Sequence, residues 1–473
     1  MATEKQPYNM LLGSMGNVGH PVGGASGEDG SVTLGGIRKW THPKTSSEFF
    51  WATYRTVRTF IRGGFSGYAV TLAYRVLYML FRALRKRQLS YRELRECLPQ
   101  WYDLRFGAFF GFIRLTPKIH NLLAVYSGAP RYPRGDARAI VTDLPLSLVA
   151  GGLAGSAFML ISDSDNYLSG ASLYYLVRAG QLVVKHVWAA YGWETIPHAD
   201  AAIFILSCFE IMHAWFFHSY TIPVTYRNWI TRLADTDGDM LDTIKKLKTG
   251  EVRYGVYSDA LMEFSKRYNV DFKRGNFRDI DMLPPDFVHP YDPHSCLGNA
   301  VRRFANGFVQ SFAIYAPVHL LPTVLLGWKR LKEDPVQTLL RVFDKIMQSA
   351  TFLSVFIALV WYSLCVVRHS PLRDGREYRG FLAGCFFCGF SIFIEQKSRR
   401  IELALKVLTD ALISVWRRAE RKGIVISLPH SDVFFFSLAN GLFLYYYRHH
   451  PELIKSALHS ILRLFWGYAD DYE

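Results

Sequence analysis

The chain has 473 residues, half of them hydrophobic and 15% aromatic, and carries a net charge of +15 at pH 7. A mean hydropathy of only +0.06 conceals long apolar windows separated by basic loops, and that clustering points away from a soluble α/β enzyme toward an all-α, polytopic membrane bundle. The cationic excess gathers at the ends of apolar runs, as in Arg85-Lys86-Arg87 and Lys329-Arg330 with Lys332. That placement suits anionic lipid headgroups, and no aromatic–basic strand pattern or zinc-finger spacing speaks for nucleic acid.

Residues 1–50 are polar and rich in Gly, with no apolar stretch of the signal-peptide kind, and are predicted to be a disordered tail. Residues 51–223 follow as a first membrane repeat, with helices predicted near 57–83, 104–126, 146–162, 168–191 and 199–220. Residues 224–298 are charged and interrupted by Gly and Pro, which predicts a polar, water-exposed connector with one or two short helices, such as 258–268. Residues 299–467 form a second membrane repeat, with helices predicted near 299–328, 345–368, 379–395, 398–421 and 431–449.

The two halves echo one another. Val57-Arg58-Thr59-Phe60 corresponds to Val301-Arg302-Arg303-Phe304, with Gly63 and Gly307 at the same distance beyond. Gly152-Leu153-Ala154-Gly155 corresponds to Phe381-Leu382-Ala383-Gly384, and Pro197-His198-Ala199-Asp200 to Pro429-His430-Ser431-Asp432. Matches in one order predict two diverged copies of one helical unit, the arrangement of many membrane carriers. Nearly every loop is basic, so parallel and inverted copies both stay open. Gly63 with Gly67, Gly107 with Gly111, Gly151 with Gly155, and Gly380 with Gly384 share the GxxxG spacing that lets helices approach closely in lipid.

Polar groups within the apolar runs are the candidates for chemistry. The fourth helix of the second half is amphipathic, which suits the headgroup plane or the wall of a polar conduit. Arg399 and Arg400 open it, where a helix N-terminus disfavours cations, so a phosphate of lipid or ligand is the expected compensation. His198, Asp200, His430 and Asp432 form paired polar motifs at the membrane interface; each Asp is predicted to cap the following helix, and each His is a possible proton-sensitive group. Glu210 and His213 share one helix face with His218 beyond, but no facing Glu-x-x-His completes a di-iron set, and Glu210 is expected to pair internally. Asp235 to Asp239 fail as a calcium loop because Met240 and Lys246 stand where Gly and Glu are required. Cys385 and Cys388 form a lone CxxC inside an apolar run and read as buried small residues.

Four further segments resemble the transmembrane protein 135 family. They are His289-Pro290 through Ser295-Cys296, Ile314 to Pro317, Gln348 to Leu353, and Ile394-Glu395-Gln396-Lys397-Ser398-Arg399-Arg400. The likeness covers roughly 289–467, and 57–220 more weakly; the family is distantly similar to the Tim17 group of inner-membrane translocases. It implies a peroxisomal or mitochondrial membrane protein tied to organelle dynamics and lipid handling, with no established catalytic site. The family's cysteine-rich opening is represented here by Cys296 alone. The resulting expectation is a non-enzymatic protein without cofactor or metal, partnered by membrane lipids and by other membrane proteins or a second copy of itself. A lipid-modifying enzyme built on His198, Glu210, His213 and His430, or an interaction scaffold, is the alternative.

Overall fold

Apolar runs of this length can satisfy their backbone groups in lipid only as helices, and every regular element among the described residues is helical. The structure, a computed structural model, describes residues 46–86, 101–251 and 289–466, apart from 131, 133, 135, 162–165, 194–195, 237, 290, 291, 293, 327, 373–377 and 427–429, together with residue 266. The Gly-rich tail up to residue 45, and all of 258–268 except residue 266, lie outside the described residues.

The first half contains α1 (Ser46–Lys86), α2 (Trp101–Tyr126), α3 (Ala139–Gly155), α4 (Asn166–Ala190) and α5 (Ala199–Phe217). A 3-10 turn, Ser156–Leu160, extends α3, and another, Ser219–Thr221, follows α5. Then come α6 (Val224–Leu233) and α7 (Gly238–Thr249). The second half contains α8 (Cys296–Leu326), α9 (Trp328–Glu333), α10 (Pro335–Arg368), α11 (Tyr378–Phe387), α12 (Lys397–Arg421), α13 (Ser431–His449) and α14 (Ser456–Trp466). Here the 3-10 turns are Cys388–Ile394 after α11 and Pro451–Leu453 after α13.

Local chemistry explains several boundaries. Asp334 caps α10 by accepting from the Gln337 N–H at 3.2 Å, with Pro335 in the first turn where its missing donor costs nothing. The expectation that Asp200 and Asp432 cap α5 and α13 is corrected. The caps are His198 and His430, in left-handed backbone at φ 60° and 59°. Each Asp falls inside the first turn, where its charge still suits the positive end of the helix dipole. A second correction concerns α3, which begins at Ala139, ahead of the predicted start near 146, and carries Pro145 within it.

Among the described residues, three helices are long and apolar enough to cross a membrane: Ala139–Leu160, Ala199–Phe217 and Pro335–Arg368. The helix of 10 residues Tyr378–Phe387, with its 3-10 extension, is apolar but shorter. The stretch predicted as a polar connector with one or two short helices begins with two, and their apolar faces are packed. Ile230 and Leu233 of α6 and Leu241 and Ile244 of α7 are buried, because each helix has an apolar face.

Packing follows one scheme in both halves. α1 lies along α2, and α8 along α10; α3 then packs on α2, and α11 on α10. The last helix of each half crosses over: α5 packs on α11, its 3-10 extension and α12, whereas α13 packs on α3 and α4. One core therefore joins Trp215 and Phe216 of α5 to Trp361 and Phe381 of the second half. Another joins Phe443, Tyr445 and Tyr447 of α13 to Ala150 and Leu182 of the first. Glycines stand at the crossings. A Cβ on Gly63 would lie 3.0 Å from the Gly111 Cα, and one on Gly107 2.9 Å from the Gly64 carbonyl. On Gly151 it would strike the Gly441 backbone, and on Gly155 it would lie 2.6 Å from the Ser437 Cα. Gly67 faces the Phe110 ring, Gly380 the Leu364 side chain and Gly384 the Val360 carbonyl.

Candidate functional site

The crossover of α5 leaves an apolar cavity of about 140 Å³ among α5, α6, α8, α10 and α12. Its walls include Cys208, Trp229, Tyr315, Ile357, Leu403 and Val407. An apolar cavity of roughly this size, about 150 Å³, stays dry and accepts a benzene-sized guest. The scale suits a short length of alkyl chain.

A polar cluster stands beside it. The Arg399 guanidinium lies 5.7 Å from the centre of the Tyr315 ring, which is itself part of the cavity wall. Arg399 Nη1 donates to the Ser349 hydroxyl at 2.6 Å and meets His319 Nε2 at 2.9 Å. Glu395, fully buried, places Oε1 3.6 Å from the same guanidinium and accepts from Ser349 at 3.2 Å and from the Gln396 N–H at 2.9 Å. Glu395 is thus an internal anion at the place where a bound phosphate was expected. Arg400 turns elsewhere: its Nε donates to the Glu395 carbonyl at 2.9 Å and its Nη2 to that of Phe393 at 2.7 Å, closing the end of the 3-10 turn.

The remaining sequence candidates separate into different places. Glu210 forms an ion pair with Arg418 and accepts from Ser414 at 2.9 Å, and His213 meets Arg418 at 3.4 Å and the Tyr378 hydroxyl at 3.2 Å. His198 stands edge-on to the Phe393 ring, 5.6 Å between centres. His430 and Asp432 are at the start of α13, where Asp432 accepts from the Val433 N–H at 2.9 Å. His198 and His430 do not join Glu210 and His213 in one cleft.

Two clusters escaped sequence reasoning because each needs a residue from a distant part of the chain. Asp143 of α3 receives His449 Nε2 at 2.5 Å and lies 3.4 Å from His120. His289, Cys296 and Cys365 bring an imidazole and two thiols together, with every ligand atom within 4.8 Å of the others. Burial, followed by the charges of Arg368 and Arg303, pushes the His289 imidazole down to about 4. Cys385 and Cys388 are fully buried in the core beside α5.

Residues 286–418 match the family described as the N-terminal cysteine-rich region of Transmembrane protein 135. In this chain that region begins past the midpoint and takes in Cys296, Cys365, Cys385 and Cys388. The expectation that Cys296 alone represents it is thereby corrected. No solved structure matches the chain.

Proposed function

From the match of residues 286–418 to the transmembrane protein 135 family, and from three helices among the described residues able to cross a bilayer, we propose that the chain is a member of that family and a non-catalytic protein of a peroxisomal or mitochondrial membrane that handles lipid and thereby affects organelle dynamics. One observation carries this reading: an apolar cavity among its helices, with a guanidinium at its rim held over the Tyr315 ring. The cavity takes part of an alkyl chain, and Arg399, its charge already shared with Glu395, stands at the headgroup end, where its remaining N–H donors meet the headgroup. Arg400, spent on backbone carbonyls, contributes little to that contact.

The test is binding of a radiolabelled long-chain fatty acid to the full-length protein in detergent. Saturable binding is expected, with loss in Leu403→Trp, which fills the cavity, and weakening in Arg399→Gln. A folded wild-type protein that binds no fatty acid, or a Leu403→Trp variant that binds normally, refutes the reading. Fluorescence co-localisation with peroxisomal and mitochondrial markers decides the organelle, and a chain confined to the cytosol or plasma membrane refutes the placement.

The bundle is further proposed to descend from two copies of one unit, forming a conduit between them. Supporting this are the equal lengths of α4 and α12, at 25 residues, and of α5 and α13, at 19 residues. The paired left-handed His caps and the reciprocal crossover of α5 and α13 support it as well.

A further inference from the structure

We propose that His289, Cys296 and Cys365 form a binding site for a thiophilic d10 cation, Zn²⁺ or Cu⁺, that fastens the start of α8 to the end of α10. Cys296 is the first residue of α8, and Cys365 lies in the last turn of α10. His289 precedes Cys296 by seven positions and lies outside any helix. Its Nε2 lies 2.6 Å from the Cys365 sulfur, and all three ligand atoms fall within 4.8 Å.

The donor set selects the class of ion. Thiolate with imidazole is the chemistry of zinc and of cuprous copper, whereas calcium and magnesium take oxygen ligands. Tetrahedral zinc, with Zn–S about 2.3 Å and Zn–N about 2.0 Å, sets an imidazole nitrogen and a sulfur about 3.5 Å apart. The His289 ring must therefore withdraw by about 1 Å from Cys365 to admit zinc. His289 lies outside any helix, so this withdrawal leaves the α8–α10 packing in place. A water completes the fourth position of zinc; cuprous copper is satisfied by three ligands.

Burial adds an independent reason. His289 is 3% exposed, and its Nδ1 has no hydrogen-bond partner among the described residues. Withdrawing an imidazole from water with one nitrogen unpartnered is costly, and a coordinate bond at the other nitrogen offsets part of that cost.

The experiment uses the full-length chain in detergent, carrying no polyhistidine tag, from cells grown with added zinc or added copper. Metal content is measured by plasma mass spectrometry. About one ion per chain is expected, the preferred supplement distinguishing zinc from copper, with loss in Cys296→Ser/Cys365→Ser and retention in Cys385→Ser/Cys388→Ser. Wild-type protein without bound metal from either growth, or metal retained in Cys296→Ser/Cys365→Ser, overturns the proposal. So does a Cys296–Cys365 disulfide found by non-reducing peptide mapping. Should the double variant fail to fold, alkylation of wild-type protein decides: Cys296 and Cys365 are expected to resist the reagent until a chelator is added, and equal labelling with and without chelator overturns the site.

Discussion

Gly151 and Gly152 are neighbours on α3, yet replacement by Ala is expected to move stability in opposite directions. The added methyl of Gly151→Ala points at α13 and would strike the backbone N and Cα of Gly441. Nothing at that contact is a side chain that could swing aside. Ordinary contact begins near 3.4 Å, so the two helices must separate by on the order of 1 Å. Overpacking of a tight core costs about 1–3 kcal/mol, and a backbone obstacle places this variant at the upper end. Separation also opens the contacts flanking the glycine, where Gly155 rests on Ser437 and Gly441 on Leu148. At Gly152 nothing lies within 4 Å of the added methyl. Only the backbone benefit remains, up to about 1 kcal/mol in favour of Ala. Thermal unfolding of both variants in one detergent, read by fluorescence-detected size exclusion, makes the comparison. Equal melting temperatures for the two variants would refute the close crossing of α3 and α13.

Three other outcomes are expected. Replacing His198 or His430 by Gly removes left-handed strain of about 1–2 kcal/mol per residue and raises the melting temperature, unless the imidazole has a role of its own; a fall in both variants counts against strain at these caps. Arg418→Met strands Glu210 without its cation and lowers stability by on the order of 3 kcal/mol, while Glu210→Gln added to it restores most of the loss; no restoration disproves the pairing. Glu402 is pushed up by burial, but Lys455 and Arg178 outweigh this and hold its carboxyl below the ordinary value of 4.5. Its contribution is therefore present above pH 4.5 and is lost as the pH falls through the lower folded value. Glu402→Gln is expected to lower stability at neutral pH and to flatten the acid limb, and an unchanged acid limb speaks against the ion pair.

Much of the helical order was readable because apolar runs bounded by charge define helices in lipid almost by themselves. The predicted limits of α13, and those of α12 to within a residue, coincide with the structure. The start of α3 was missed for a physical reason. Asp143 and Pro145 look like a loop in isolation, but His449 and His120 receive the carboxylate inside the bundle. No local pattern reveals a partner 306 residues away. Glu395 was passed over for similar reasons. The sequence shows two arginines at a helix start and suggests an outside anion, whereas the chain supplies its own carboxylate a few residues earlier. The cavity was equally hidden, since its walls come from five helices drawn from both halves.

The reciprocal crossover of α5 and α13 bears on how the protein is made. When a ribosome has released the first half, α5 has none of the surface it will finally cover, because α11 and α12 are still unsynthesised. α3 and α4 wait longer still, until α13 emerges near the end of translation. α4 and α5 must therefore sit in the bilayer with lipid, or a chaperone, as a temporary neighbour, and helix exchange completes the bundle late. A premature stop anywhere before α13 would leave a product whose individual spans insert normally and whose interior never closes, a species marked for quality control by its unfilled seams.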